Sequence, residues 1–154
     1  MGGRVFAKFH VDAGIGDVIM QPVERVQCAD WLDFAGIPTP EVRMIAREQQ
    51  FAEKVHAYTL PRNSPNSRVK DLVDVALLIG DGLLDQHKAA QALRLTFEKR
   101  HTHVLPVTLA SPPQDWQKPF EVLAEECGLP VNIDAVFESV RAFYLRILAG
   151  TTEE

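Results

Sequence analysis

The sequence predicts an α+β fold, in which a partial sheet of two to four short strands precedes a five-helix C-terminal region. Three observations carry this reading. Segments rich in aromatic and β-branched residues, broken by prolines and glycines, are confined to the first 46 positions. Beyond them, apolar residues recur with helical period in one segment after another. The two regions follow each other instead of alternating, which is the α+β order and not the α/β one.

The opening segment, Arg4-Val-Phe-Ala-Lys-Phe-His-Val-Asp12, alternates imperfectly between apolar and polar side chains and reads as a strand. Ala13-Gly-Ile-Gly16 leaves room to turn. Pro22, Gly36, Pro38 and Pro40 then cut the chain into short pieces, among which Trp31-Leu-Asp-Phe34 is expected to form a short strand. Glu41-Val-Arg-Met-Ile45 is a further expected strand, running directly into a helix. That helix spans Arg47 to Thr59, because Phe51, Val55 and Tyr58 fall at i, i+4 and i+7 and Ala52 joins their stripe.

Pro61 to Ser67 holds two prolines, two asparagines and two serines, a loop composition, and Ser67 is a candidate helix cap. The next helix is expected from Arg68 to Ile79, with Leu72, Val75, Ala76 and Ile79 on one face and Gly80 as its stop. Asp85 caps a third helix whose Ala89, Leu93 and Phe97 share a face. A proline-bearing linker covers Leu105 to Pro113. Two helices, near Pro119–Cys127 and Ile133–Leu148, close the chain, the last marked by Val136, Val140, Phe143 and Ile147. The expected organisation is residues 1–60 as the remnant of an α/β domain and 61–154 as a helical region.

Composition bounds the function classes. Of 154 residues 46% are apolar and 24% charged, an ordinary globular balance that argues against disorder. No apolar run approaches the roughly 18–20 residues of a membrane span. Arg4, Lys8, His10 and Asp12 interrupt any signal-peptide core, and Phe6 stands where a myristoylation motif has Ser or Thr. Cys28 and Cys127 form neither a CxxC pair nor a disulfide framework, so a reducing cytoplasm is the expected compartment. The net charge is −5, yet residues 43–70 carry a local excess of +4, from Arg43, Arg47, Lys54, Arg62, Arg68 and Lys70 against Glu48 and Glu53. Such a patch suits phosphates; a solvated helix face with its following loop is the competing account.

Three groups of side chains are candidates for chemistry. Asp12 ends the first expected strand, a common place for a metal-binding or proton-accepting carboxylate and equally for one that caps turn amides. Lys54 borders the apolar stripe of its helix, where it can meet phosphates as a point cation or simply extend to solvent. Asp71 and Asp74 lie one turn apart in Arg68-Val-Lys-Asp-Leu-Val-Asp74. Acids there also complement the helix dipole, and the spacing allows Arg68–Asp71 and Lys70–Asp74 pairs. His101 and His103 lack a third ligand at zinc spacing and read as linker histidines. Trp31 and Trp116 read as packing residues. Gly14-Ile-Gly16-Asp17 matches neither dinucleotide nor P-loop patterns.

Four segments together carry a family resemblance: Phe9-His-Val-Asp-Ala-Gly-Ile-Gly-Asp17, Leu32-Asp-Phe-Ala-Gly36, Glu48-Gln-Gln-Phe-Ala-Glu-Lys-Val-His-Ala57 and Ser67-Arg-Val-Lys-Asp-Leu-Val-Asp74. In these the chain resembles the AbiEii/AbiGii nucleotidyltransferase toxins. The resemblance implies a polymerase-β-like nucleotidyltransferase fold followed by helices, and transfer of a nucleotide from an NTP to an RNA acceptor, the 3′ end of tRNA for some members. It also implies Mg²⁺ as cofactor and a place in a toxin–antitoxin or abortive-infection system, with a cognate antitoxin as partner. By position it assigns Asp12, Lys54 and Asp71 as catalytic, with Asp12 the metal carboxylate. Arg62, Arg68, Lys70 and Asp74 are then the nucleotide- or RNA-binding residues.

The same resemblance places a Gly-Gly or Gly-Ser turn and an Asp-x-Asp pair upstream of the strand that ends at Asp12. Met1-Gly-Gly-Arg-Val-Phe-Ala contains no acid. The expectation is therefore a truncated or degenerate enzyme. The alternatives are a non-catalytic nucleotide-, RNA- or partner-binding module, and a scaffold without a ligand whose open sheet edge is covered by self-association or by a partner chain.

Overall fold

The computed structural model describes residues 8–11, 19–62 and 68–150. Two strands and five α-helices make up its regular structure: β1 (Glu24–Gln27), β2 (Glu41–Met44), α1 (Arg47–Thr59), α2 (Val69–Gly80), α3 (Gln86–Arg100), α4 (Gln117–Cys127) and α5 (Ile133–Ala149). This is the expected α+β arrangement, a small partial sheet followed by a helical region.

β1 and β2 pair antiparallel, with Glu24 opposite Met44 and Gln27 opposite Glu41. Opposed residues share a face, so Glu24, Val26, Val42 and Met44 project one way and Arg25, Gln27, Glu41 and Arg43 the other. Arg25 stands directly opposite Arg43, an unfavourable pair, and turns to Glu41 on the diagonal, 2.9 Å away.

The β2 strand begins at Glu41 as expected, whereas β1 was not foreseen. Glu24-Arg-Val-Gln27 carries no apolar alternation, because both faces of the hairpin are largely solvated. The strand expected at Trp31–Phe34 does not form; Asp33–Ala35 make a turn of 3₁₀ helix instead. Local bonds win there: Ala35 N donates to Leu32 O and Gly36 N to Asp33 O, and Gly36 closes the turn at φ 66°. Trp31 is 81% exposed, so it is not the packing residue the sequence implied. Of the expected strand at 4–12, residues 8–11 are not in a strand and the remainder lies outside the described residues.

The α1 bounds match expectation. Ala46 offers no side-chain cap, and Glu24 of β1 supplies one, its Oε1 accepting from Arg47 N at 3.2 Å. A carboxylate at a helix N-terminus also favours the dipole. Leu60 turns to extended geometry before Pro61, as the residue before proline prefers, and ends the helix. Ser67, the candidate cap of α2, lies outside the described residues. Asp85 caps α3 by accepting from Lys88 N at 3.0 Å, and Asn132 caps α5 through Ala135 N at 3.0 Å.

One core joins all five helices. Phe51 and Val55 of α1 meet Leu72 and Val75 of α2, Leu93 and Phe97 of α3, Phe120 of α4 and Phe143 and Tyr144 of α5. Phe51 and Phe143 meet edge to face with centroids 5.6 Å apart. The linker between α3 and α4 runs over this core as a strap. Leu109 enters among Val55, Tyr58, Leu72, Val75 and Val140, leaving only a void of about 10 Å³. Tyr58 Oη donates to Ala110 O at 2.7 Å and Tyr144 Oη to Pro106 O, fixing the strap from two helices. Trp116 is buried, as expected of a packing residue.

Candidate functional site

The site forms where α1 and α2 run antiparallel. Phe51 and Val55 face the core, so Lys54, one position off their stripe, leaves α1 at the edge facing α2. There α2 presents Asp71 and Asp74, one turn apart. Lys54 Nζ lies 2.6 Å from Asp74 Oδ2 and 3.2 Å from Asp71 Oδ1. Arg68 approaches from the start of α2, its guanidinium 3.5 Å from Asp71 Oδ2. The structure thus brings Lys54, Arg68, Asp71 and Asp74 into one cluster.

Burial within the cluster is uneven. The Asp71 side chain is 6% exposed, and its Oδ2 has no hydrogen-bond partner among the described residues. A buried carboxylate oxygen without a hydrogen bond is costly, which makes the two nearby cations structurally necessary. Asp74 and Lys54 stand at the rim, about two-fifths exposed. Burial draws the Lys54 pKa down, but hydrogen bonds and charge from Asp74 and Asp71 outweigh it and hold the pKa above 10.5. Lys54 is consequently a fixed cation at neutral pH and not a proton acceptor.

A cleft of about 460 Å³ opens beside the cluster, lined by Gln50, Lys54, Asp74, Leu77, Leu78 and Asp81. At its far end Arg47 pairs with Asp81, and its Nε lies 3.9 Å from Glu24 of β1. Arg47 and Lys54 are two helical turns apart, as are Asp74 and Asp81, so one ion pair closes each end of the cleft, roughly 10 Å apart along the helices. Asp81 was missed in the sequence reading, and Arg47 entered it only as one charge of the basic segment. The heptad separation of Arg47 and Lys54 was a usable signal that both lie on one side of α1.

Other expected site residues stand apart. Arg62 is exposed beyond the end of α1, and no described contact brings it to the cluster. Lys70 is exposed on α2. The Lys70–Asp74 pair allowed by the spacing does not form among the described residues, because Asp74 is engaged by Lys54. Asp12 lies outside the described residues.

Among the described residues no three metal-binding side chains converge. The two carboxylates of α2 already hold Lys54 and Arg68, so these residues do not by themselves make a magnesium site. Nor is any helix of the described residues long and apolar enough to cross a membrane.

The family described as nucleotidyl transferase AbiEii toxin, type IV TA system, matches residues 1–140, and the chain belongs to that family. The membership brings with it a toxin–antitoxin setting, hence an antitoxin partner, and a class of enzyme that generally works with a divalent metal. No curated protein matches the chain.

Proposed function

We propose that the chain is a nucleotide-handling toxin that binds an NTP at the Lys54 cleft and transfers NMP to an RNA acceptor, with the 3′ end of tRNA as the first candidate. The observation that carries this reading is the convergence of Lys54, Asp71 and Asp74 from two separate helices on one cleft.

Nucleotidyl transfer asks little covalent chemistry of a protein and much positioning and charge stabilisation. Lys54, charged at every physiological pH, supplies a cation for the phosphates. In the free protein Asp74 and Asp71 hold that ammonium; an incoming triphosphate takes the place of Asp74 at the solvated rim, while the buried Asp71 keeps the lysine aimed. Arg68, Lys70 and Arg62 extend the positive charge toward the RNA backbone. Asp12 is proposed as the carboxylate that meets Mg²⁺, and the cytoplasm, where NTPs and tRNA occur, as the place of action.

A non-catalytic nucleotide- or RNA-binding module is the second reading, and the double engagement of Lys54 by acids favours it. Label transfer from NTPs to total tRNA with Mg²⁺, beside Asp12→Ala and Lys54→Ala, separates the two. Transfer by the wild type, abolished in both variants, supports the enzyme. RNA binding that weakens with salt and with neutralisation of Arg62, Arg68 and Lys70, without transfer, supports the module.

A further inference from the structure

The outer edge of β2 is open, and the direction of its backbone groups is fixed by the ladder with β1. Cys28 N donates to Pro40 O at 3.0 Å. In the register that sets Gln27 opposite Glu41, Cys28 stands opposite Pro40. Opposed residues of an antiparallel ladder alternate between pairs that exchange hydrogen bonds and pairs that do not. Val26 therefore bonds with Val42 and Glu24 with Met44, while Glu41 and Arg43 turn their N–H and C=O groups outward. Among the described residues nothing bonds to those outward groups. Pro40, which has no N–H to give, faces β1 and leaves the outer edge intact. All four residues of β2 are exposed.

The charges along this edge match the edge itself. When β2 is set antiparallel to β2 of a second copy, about a two-fold axis at Val42, Val42 meets Val42 and each Glu41 stands opposite Arg43 of the other copy. Glu41 and Arg43 are the outward-facing residues, so these two pairs exchange four backbone hydrogen bonds. A slip of two residues in one direction brings Glu41 opposite Glu41, and in the other Arg43 opposite Arg43. A slip of one residue sets outward groups against inward ones and turns the side chains to opposite faces. One register alone satisfies both backbone and charge.

The single hairpin leaves a need that this register meets. Arg43 stands opposite Arg25, and Arg25 has taken Glu41 at 2.9 Å. Arg43 has no ion pair among the described residues. Glu41 of a second copy supplies one. The β1 edge offers no such match, because the same pairing about Val26 sets Arg25 against Gln27. A two-stranded hairpin is also marginal alone. Joining two hairpins makes four strands, with Val26, Val42 and Met44 of both copies on one face. The register further carries the turn after β1, with exposed Trp31 and Phe34, toward the start of α1 in the other copy, adding area that four strand residues lack.

We propose that β2 is a self-association edge, through which two copies of this chain join their hairpins into one antiparallel four-stranded sheet centred on Val42. The proposal does not depend on the nucleotide reading. Sedimentation equilibrium of the full chain, at concentrations up to about 1 mM, is expected to show a weak monomer–dimer equilibrium that stops at the dimer, because an isologous pairing closes on itself. Arg43→Glu is expected to lower the association constant roughly ten-fold or more, since acids then oppose acids across the axis. The same change gives Arg25 an acid opposite it within its own hairpin, so loss of the dimer is not loss of the hairpin. Exchanging the charges, Glu41→Arg with Arg43→Glu, is expected to restore association. With Cys28→Ser and Cys127→Ser in place, Val42→Cys is expected to form a disulfide-linked dimer on mild oxidation, and Glu41→Cys and Arg43→Cys are not. Only position 42 faces itself, with Cα atoms about 4.5 Å apart. A chain that stays monomeric throughout, a dimer indifferent to Arg43→Glu, an exchanged variant that stays apart, open-ended growth, or cross-linking no better at 42 than at 41 and 43 overturns the proposal.

Discussion

Lys54 Nζ sits 2.6 Å from Asp74 Oδ2 at the rim of the α1–α2 cleft, while the same ammonium reaches inward to the buried Asp71. The two acids differ in what they contribute. Asp71 depends on Lys54 for charge compensation; Asp74 stays near water and can exchange partners at small cost.

Replacing Lys54 with Met is therefore expected to destabilise the fold by about 1–3 kcal/mol, because it leaves the Asp71 carboxylate buried beside Arg68 alone. The half-exposed lysine places the cost below that of a fully buried pair. Asp74→Asn is expected to cost under about 1 kcal/mol. Urea unfolding of both variants checks the ranking, and equal losses would contradict it.

Arg47 closes the opposite end of the cleft against Asp81 and also reaches Glu24 on β1. Arg47→Met is expected to loosen the hairpin more than the helical core. Hydrogen exchange should rise through residues 24–44 while the amides of α3 and α5 are unchanged. Uniform loss of protection across the molecule would count against this local role.

His56 gives stability a pH dependence of predictable sign. Its pKa falls from 6.5 in the unfolded chain to about 4 in the fold. The unfolded state therefore binds the proton more readily, so the contribution is complete above about pH 6.5 and is lost as pH falls toward 4. With allowance for partial solvation the loss is on the order of 1–2 kcal/mol. Unfolding midpoints of the wild type should drop between neutral pH and pH 5 more than those of His56→Gln.

At the centre of the core, Phe51→Ala removes the edge-to-face partner of Phe143. The expected cost is about 3–5 kcal/mol, read from thermal or urea unfolding.

The helices were legible because each buries one stripe, and a buried stripe writes its period into the sequence, as Phe51, Val55 and Tyr58 do in α1. β1 was illegible for the converse reason: Glu24-Arg-Val-Gln27 is solvated on both faces and has no periodicity to read. The Trp31–Phe34 segment misled because aromatic content implied a strand where Gly36 and local carbonyl bonds make a turn. Lys54 and Asp71 could be singled out from their motifs. Arg47 and Asp81 meet across 34 positions and His56 and Thr102 across 46, separations at which composition and periodicity say nothing.

The central claim is that the Lys54 ammonium receives nucleotide phosphates. Calorimetric titration of Mg²⁺–NTP into the wild-type chain and into Lys54→Gln tests it most directly, since the glutamine retains most of the side chain and loses the charge. Saturable binding to the wild type is expected, weakened roughly ten-fold or more in the variant, the scale of one charge-assisted phosphate contact. Equal binding by the two proteins would contradict it, as would a wild type that shows no saturable binding.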